Sequence, residues 1–426
     1  MSYHRRAFDA FAARLREPPG LIQILAGPRQ VGKTTLIRQL IDAQARPPSS
    51  SRYVPADSFA QAIGAPSQPT GLVARATARP VDTEWLVEQW TGAVLEARAW
   101  AERERTAASS FPFVLVIDEI QKVPQWSATI KGLWDEMQAS GSPMHVVLLG
   151  SSPLLMQKGL TESLAGRFEV TRMTHWSFEE MNEAFDLSLD QYIYFGGFPG
   201  SAAYITDETR WRDYVNLSLI RPAIDQDILM MTRVDKPALL RNLFELGCLY
   251  SGQVVALDKL LGQLQDAGNV TTLARYLDLL ADADLLCGLQ KHSDGAVRRR
   301  KAPPKLQALN NALVTAQGSH SFDQACADRS HWGHLVESAV GAHLINAAES
   351  DTAVRYWRDG AHEVDFVIER RGKIAAIEVK SNPQSARHRG LEEFVRRHPG
   401  CRAWQVGGDR LPIGEVLRRP VSFWVE

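Results

Sequence analysis

The stretch from Ile22 to Leu40, IQILAGPRQVGKTTLIRQL, decides the fold. A short apolar run, Leu21 to Ala26, meets Gly27-Pro28-Arg29-Gln30-Val31-Gly32-Lys33-Thr34, and an amphipathic helical pattern begins at Thr35. This is the pattern G-x-x-x-x-G-K-[ST] between a strand and a helix, the context in which such a loop cradles phosphates. Gly27 and Gly32 let the backbone curl so that successive N–H groups and the helix N-terminus face a polyphosphate. Lys33 then reaches the β and γ phosphates, and Thr34 offers its hydroxyl to Mg²⁺. Gly27, Pro28, Arg29, Gln30, Val31, Gly32, Lys33, Thr34 and Thr35 are the expected nucleotide-binding set, with ATP and Mg²⁺ as the implied cofactors.

A second landmark is Phe113 to Glu119, FVLVIDE, an apolar run too short for a helix that ends in two carboxylates. In a parallel sheet such a strand is buried on both faces and its C-terminal end opens onto the nucleotide crevice. Asp118 is placed to hold the Mg²⁺ shell and Glu119 to polarise the attacking water, so the acidic pair points to hydrolysis as well as binding. A further apolar run, HVVLLG, ends in Gly150-Ser151-Ser152. Ser151 is a candidate sensor of the γ-phosphate, with Ser152 second, and a helix N-cap is the competing reading. After Leu164-Ala165-Gly166 comes Arg167, at a corner before the strand FEVTRM. It reads either as a surface residue or as a finger that enters a neighbouring subunit's site.

The sequence GPRQVGKTTL, with IDEIQKVPQW at Ile117 to Trp126 and LLGSSPLLMQKGLTESLAGRFE at Leu148 to Glu169, resembles the bacterial and archaeal AAA+-related ATPases that carry a C-terminal domain called DUF4143. The resemblance implies an α/β P-loop core of the AAA+ type, with Lys33 and Thr34 in its Walker A, Asp118 and Glu119 in its Walker B, and Arg167 at the finger position. A finger at Arg167 that acts in trans leads one to expect assembly into a ring or open ring, at least with ATP bound. The segment from Ser58 to Ser110 is longer than the family leads one to expect.

From Trp176 to Phe244 the pattern is mostly helical, broken by GGFPG at Gly196 to Gly200, as in a helical lid. The run from Val254 to Leu289 reads as helix, glycine turn, helix and apolar exit, a winged helix-turn-helix. Its second helix offers Thr271, Thr272, Arg275 and Tyr276 to a groove. Behind it Arg298 to Lys301, with Lys305, forms the most basic segment, as a phosphate-touching wing would. A protein-protein module is the alternative.

The last part carries HLVESAVGAHLINAAE, then HEVDFVIER and KIAAIEVKSN across a glycine turn. Strand alternation puts Glu378 and Lys380 on one face beside Asp365, and the preceding helix can bring Glu337 to them. This is similar to a PD-(D/E)xK nuclease core, a restriction-endonuclease-like α/β domain, with a salt-bridged hairpin in a retired nuclease as the other reading. The expected domains are 1–175 (ATPase core), 176–245 (lid), 246–305 (winged helix) and 325–426 (nuclease-like).

The 426 residues exceed what one hydrophobic core serves, and the formal charge of −1 gives no global signal for nucleic acid, so such a signal must come from local patches. DNA is nonetheless the expected partner, from the winged helix, the Arg298 to Lys301 run and the basic segments Arg387-His388-Arg389 and Arg396-Arg397-His398. Cys248, Cys287, Cys326 and Cys401 lie far apart with no C-x-x-C pair, which argues against a disulfide framework and for a reducing cytoplasm. No apolar run approaches the roughly 18 residues of a membrane span, and the basic leader lacks a signal-peptide core.

Overall fold

The computed structural model describes residues 3–43, 50–56, 80–104, 112–141, 144–150, 163–229, 233–264, 268–293, 302–380 and 389–426. Ser151, Ser152, residues 58–79 and 105–110 of the long segment, Arg298 to Lys301, Arg387 and His388 lie outside the described residues. The chain forms two compact units, Met1–Met173 and Thr174–Glu426.

The first unit is built on strands β1 (Ile22–Ala26), β2 (Ser51–Pro55), β3 (Phe113–Asp118), β4 (Met144–Gly150) and β5 (Phe168–Arg172). They form one five-stranded sheet in the order β2-β3-β4-β1-β5, and every neighbouring pair is parallel. Strands β1, β3 and β4 are buried along their whole length, as the continuous apolar runs require when helices cover both faces. Helices α1 (Ala7–Arg14), α2 (Lys33–Ala43), α3 (Thr83–Glu104) and α4 (Trp126–Ala139) complete the unit. The tryptophan stripe of α3 is core: Trp85, Trp90 and Trp100 pack in one cluster with Trp126 and Trp134 of α4 and with β3 and β4. Leu95, from the same stripe, points away and is 61% exposed.

Register places the functional ends together. Ala26 of β1 is level with Gly150 of β4, and Ile117 of β3 is level with Leu148. Because all strands run the same way, the glycine loop after β1 and the carboxylates after β3 emerge from one edge of the sheet.

The second unit opens with α5 (Phe178–Phe185), α6 (Leu189–Phe195) and α7 (Glu208–Asp213), followed by π-helical turns at Tyr214–Ile220 and Ala223–Leu229. Ser177 and Ser188 each close a capping box, which fixes where α5 and α6 begin. Helices α8 (Pro237–Leu249), α9 (Leu257–Leu261) and α10 (Val270–Asp282) then lead into an antiparallel ribbon of β6 (Leu286–Leu289) and β7 (Lys305–Ala308). After α11 (Ala312–Thr315) and α12 (Phe322–Ala327) comes the long α13 (Arg329–Asn346). It precedes β8 (Thr352–Asp359), β9 (His362–Arg370), β10 (Lys373–Val379), α14 (Arg389–Arg397) and β11 (Arg402–Val406). These strands make a four-stranded sheet in the order β11-β10-β9-β8. Its strand β11 runs parallel to β10, and the other pairs are antiparallel. The whole is α/β.

Two expectations for this unit are corrected. Tyr276 does not face a groove: it is 1% exposed, and its hydroxyl accepts from the Lys236 N–H at 3.0 Å. Its place in the apolar period of α10, beside Leu273, Leu277 and Leu280, turns it inward. Lys305 is no phosphate-touching wing residue either. It is fully buried on β7, because alternation along the strand points Lys305 and Gln307 toward α13. There Gln307 Nε2 donates to the Ser338 carbonyl at 2.9 Å and Lys305 Nζ to Glu337 Oε1 at 2.6 Å.

Candidate active site

The loop between β1 and α2 has the backbone its glycines were read to need. Gly32 sits at φ 93° and Gln30 at φ 59°, left-handed values that reverse the chain tightly before the helix. Gly27 is required for a different reason. A Cβ there would lie 1.9 Å from the carbonyl oxygen of Met173, and the Met173 N–H donates to the Ala26 carbonyl at 2.8 Å. Lys33 is buried, and its ammonium donates to the carbonyls of Gly27 and Pro28, both at 2.8 Å. Leu36, Ile37 and Leu40 bury the inner face of α2. Thr35 is exposed.

The two motifs meet at Asp118. Thr34 Oγ1 donates to Asp118 Oδ2 at 2.8 Å, the Tyr53 hydroxyl donates to the same oxygen, and the Glu119 N–H donates to Oδ1 at 2.9 Å. Three donors thus fix the carboxylate. Burial, and then the charge of Asp118, push the Tyr53 phenol far up, so it stays a donor. Glu119 adopts φ 55°, a strained value for a residue with a Cβ. Its Oε2 accepts from Gln121 Nε2 at 2.6 Å. Thr34 and Asp118 are hard oxygen donors side by side, a set that suits Mg²⁺.

Sequence reasoning passed over two contributors. Tyr53 lies on β2, which pairs with β3, so only the sheet order brings it to Asp118. Arg5 donates to the Val31 carbonyl at 3.0 Å and thereby ties the leader to the phosphate loop. Gln39 of α2 likewise donates to the Tyr3 carbonyl at 2.9 Å. The basic character of the leader was the available signal. Arg167, in contrast, lies at the edge of this unit in a two-bond pair with Asp135 of α4, Nε to Oδ1 at 2.7 Å and Nη2 to Oδ2 at 3.0 Å.

In the second unit Glu337, Asp365, Glu378 and Lys380 come from α13, β9 and the end of β10. Asp365 Oδ2 accepts from the Val379 N–H at 2.8 Å, and Lys380 Nζ pairs with Glu378 Oε1 at 2.8 Å. Burial, and then the charge of Asp365, push both Glu337 and Glu378 up to about 7. The folded chain therefore binds protons that the unfolded chain releases above the ordinary value of 4.5. Through these groups stability falls as pH rises from about 4.5 to about 7. Urea unfolding of the wild type between pH 5 and pH 8 should show this loss, and Glu378→Gln should flatten it. An identical pH dependence in the variant would contradict the assignment.

Other charged residues resolve into pairs: Asp225 with Arg241, Asp235 with Arg233, and both Arg396 and Arg397 with Glu393. Arg275 donates to the Arg233 carbonyl at 3.0 Å. Among the described residues no helix is long and apolar enough to cross a membrane, and no disulfide joins any of the four cysteines.

Comparison with known proteins matches residues 20–182 to the family described as AAA domain, residues 186–322 to a domain of unknown function, DUF8612, and residues 332–418 to DUF4143. Uncharacterized proteins of Mycobacterium tuberculosis and Mycobacterium bovis are each 24% identical over 383 residues, 88% of this chain and 75% of theirs. Among solved structures, a point variant of RuvB from Thermotoga maritima overlaps 66% of this chain and 86% of its own at 17% identity and a TM-score of 0.29. AMPPCP-bound DnaA from Aquifex aeolicus overlaps 65% and 88% at 13% identity and a TM-score of 0.30. Overlap this loose transfers no residue roles.

Proposed function

We propose that this chain, which joins an AAA-type ATPase domain at its N-terminal end to a DUF4143 domain at its C-terminal end, hydrolyses ATP with Mg²⁺ and couples hydrolysis to work on DNA. The hydrogen bond from Thr34 to Asp118 carries the ATPase reading, since it joins the phosphate-loop hydroxyl to the carboxylate of the neighbouring motif. In this reading the loop amides and Lys33 hold the phosphates. Thr34 and Asp118 hold Mg²⁺, which when bound offsets the charge that develops on the transferred phosphoryl group. Glu119, steadied by Gln121, takes the proton of the attacking water. The helices and ribbon of residues 246–305 and the domain 325–426 serve as the DNA-facing parts. Their support is the helix-helix-ribbon order and the basic runs in the sequence. Hydrolysis measured with and without single-stranded, duplex and branched DNA at stated salt tests the coupling. Stimulation by at least one form is expected, and a rate indifferent to all of them would remove DNA from the proposal.

A second reading, a regulatory ATPase whose terminal domain binds without cutting, is favoured by one observation: Lys305 lies buried against Glu337 and Asp365.

Arg167 belongs to the proposal as a finger acting in trans within a homo-oligomer, released from Asp135 when subunits assemble. Mixing Arg167→Ala chains with Glu119→Gln chains should then recover some hydrolysis, above the rate of either variant alone. A wild type that stays monomeric at full activity under sedimentation would sink this role.

A further inference from the structure

The second unit holds a buried cation at the place where a PD-(D/E)xK core would hold a divalent metal. Glu337, Asp365 and Glu378 converge there from three elements, and the chain itself already engages each of them. The Lys305 ammonium donates to Glu337 Oε1 at 2.6 Å and to the Asp365 carbonyl at 3.1 Å, and it lies 3.7 Å from Asp365 Oδ1. Asp365 Oδ2 is taken by the Val379 N–H, and Glu378 Oε1 by Lys380. Among the described residues no group of three or more His, Cys, Asp or Glu is placed to hold a metal ion. The residues present therefore do not fit a Mg²⁺ ion, which demands near-octahedral oxygens at about 2.0–2.1 Å. We propose that the Lys305 ammonium is the resident cation of this centre and stands in the place of the metal, so that the C-terminal domain works without a divalent ion.

Three features support the substitution. The first is charge. Two ammoniums, Lys305 and Lys380, face the carboxyls of Glu337, Asp365 and Glu378, while the nearby Glu363 carboxylate, which also acts on Lys305 and Glu337, has Arg358 at 3.6 Å. The balance is a single negative charge that one proton removes, so a dication has little to balance. Glu378 Oε2, buried with no hydrogen-bond partner, is an oxygen on which a carboxylate charge would be poorly compensated. The second is donor count. An ammonium has three N–H donors, and Lys305 Nζ gives one to Glu337 Oε1 and one to the Asp365 carbonyl, with Asp365 Oδ1 as an ion-pair partner at 3.7 Å. The third is fixity. Lys305 is 0% exposed, its ammonium lies 4.6 Å from the Phe366 ring centroid, and its backbone is held by Leu289 on one side and Val254 on the other. Withdrawing the side chain would require β7 to leave its ribbon. Burial alone would lower the affinity of Lys305 for its proton, but the carboxylates of Glu337 and Asp365 outweigh burial and hold it charged.

The inference concerns the second unit alone and does not depend on the ATPase reading. Mn²⁺ binding to the nucleotide-free, full-length chain, followed by electron paramagnetic resonance, tests it. Wild type and Asp365→Asn should give superimposable isotherms. Lys305→Ala should gain one Mn²⁺ per chain, and adding Asp365→Asn to it should remove that ion. A wild-type Mn²⁺ site that disappears in Asp365→Asn would overturn the proposal, as would a folded Lys305→Ala chain that gains none. Should Lys305→Ala fail to fold, the comparison of wild type with Asp365→Asn decides by itself.

Discussion

Lys33→Ala should abolish ATP binding, whereas Glu119→Gln should leave binding intact and slow hydrolysis by about 10²- to 10⁴-fold, the range that a lost general base costs. The difference follows from what each side chain meets. Lys33 is buried under the loop with its ammonium on the Gly27 and Pro28 carbonyls, positioned to exchange those oxygens for phosphate oxygens in the ground state. Its loss therefore removes binding shared by ground and transition states. Glu119 lies after the strand, held by Gln121, and under the proposed mechanism meets only the water. Gln keeps its shape and the hydrogen-bonding oxygen but cannot accept the proton. A fluorescent ATP analogue titrated into each variant, followed by single-turnover hydrolysis, separates the two. Equal loss of binding in both would contradict the roles given to them.

Lys305→Met should destabilise the second unit by about 3–5 kcal/mol at pH 8, the usual cost of removing one partner from a buried ion pair. Met matches the lysine stem, so packing against Phe366 is largely kept, and the loss comes from leaving Glu337 and Asp365 facing each other without a cation. The penalty should shrink toward pH 6, because Glu337, already pushed up to about 7, can take a proton. Pairing the change with Glu337→Leu should recover most of the stability, since replacing both members of a buried pair by apolar groups is often neutral. Urea unfolding of the three chains checks this. A single-variant loss of about 1 kcal/mol or less, the size of an exposed pair, would contradict it.

Legibility in the sequence followed the range of the interaction. The phosphate loop was readable because most of its physics is local: Gly32 and Lys33 act within a few residues and the spacing states that geometry, whereas the need for Gly27 comes from the distant Met173 carbonyl packed against it. The strand FVLVID was readable because burial on both faces writes an unbroken apolar run. What the sequence hid depends on pairing between distant segments. Tyr53 reaches Asp118 only because β2 lies beside β3. Arg167 announces its corner, but Asp135, 32 residues earlier, is not marked as its partner. Lys305 is the sharpest case. Next to a run of arginines it reads as part of a solvated basic wing, and only the inward phase of β7 against α13 makes it a buried cation. Tyr276 was misread for a similar reason, since a polar atom on a helix does not reveal that the ring fills an apolar face. The meeting of Glu337, Asp365, Glu378 and Lys380 was legible from strand alternation, while the fifth member came from outside the stretch that suggested it.

Phosphate release from ATP by the full-length wild type, set against Lys33→Ala purified identically, tests the central claim most directly. The account predicts release that requires Mg²⁺ and disappears in Lys33→Ala. No release by the wild type with Mg²⁺, with or without DNA, would contradict it, and so would release at equal rates from both proteins.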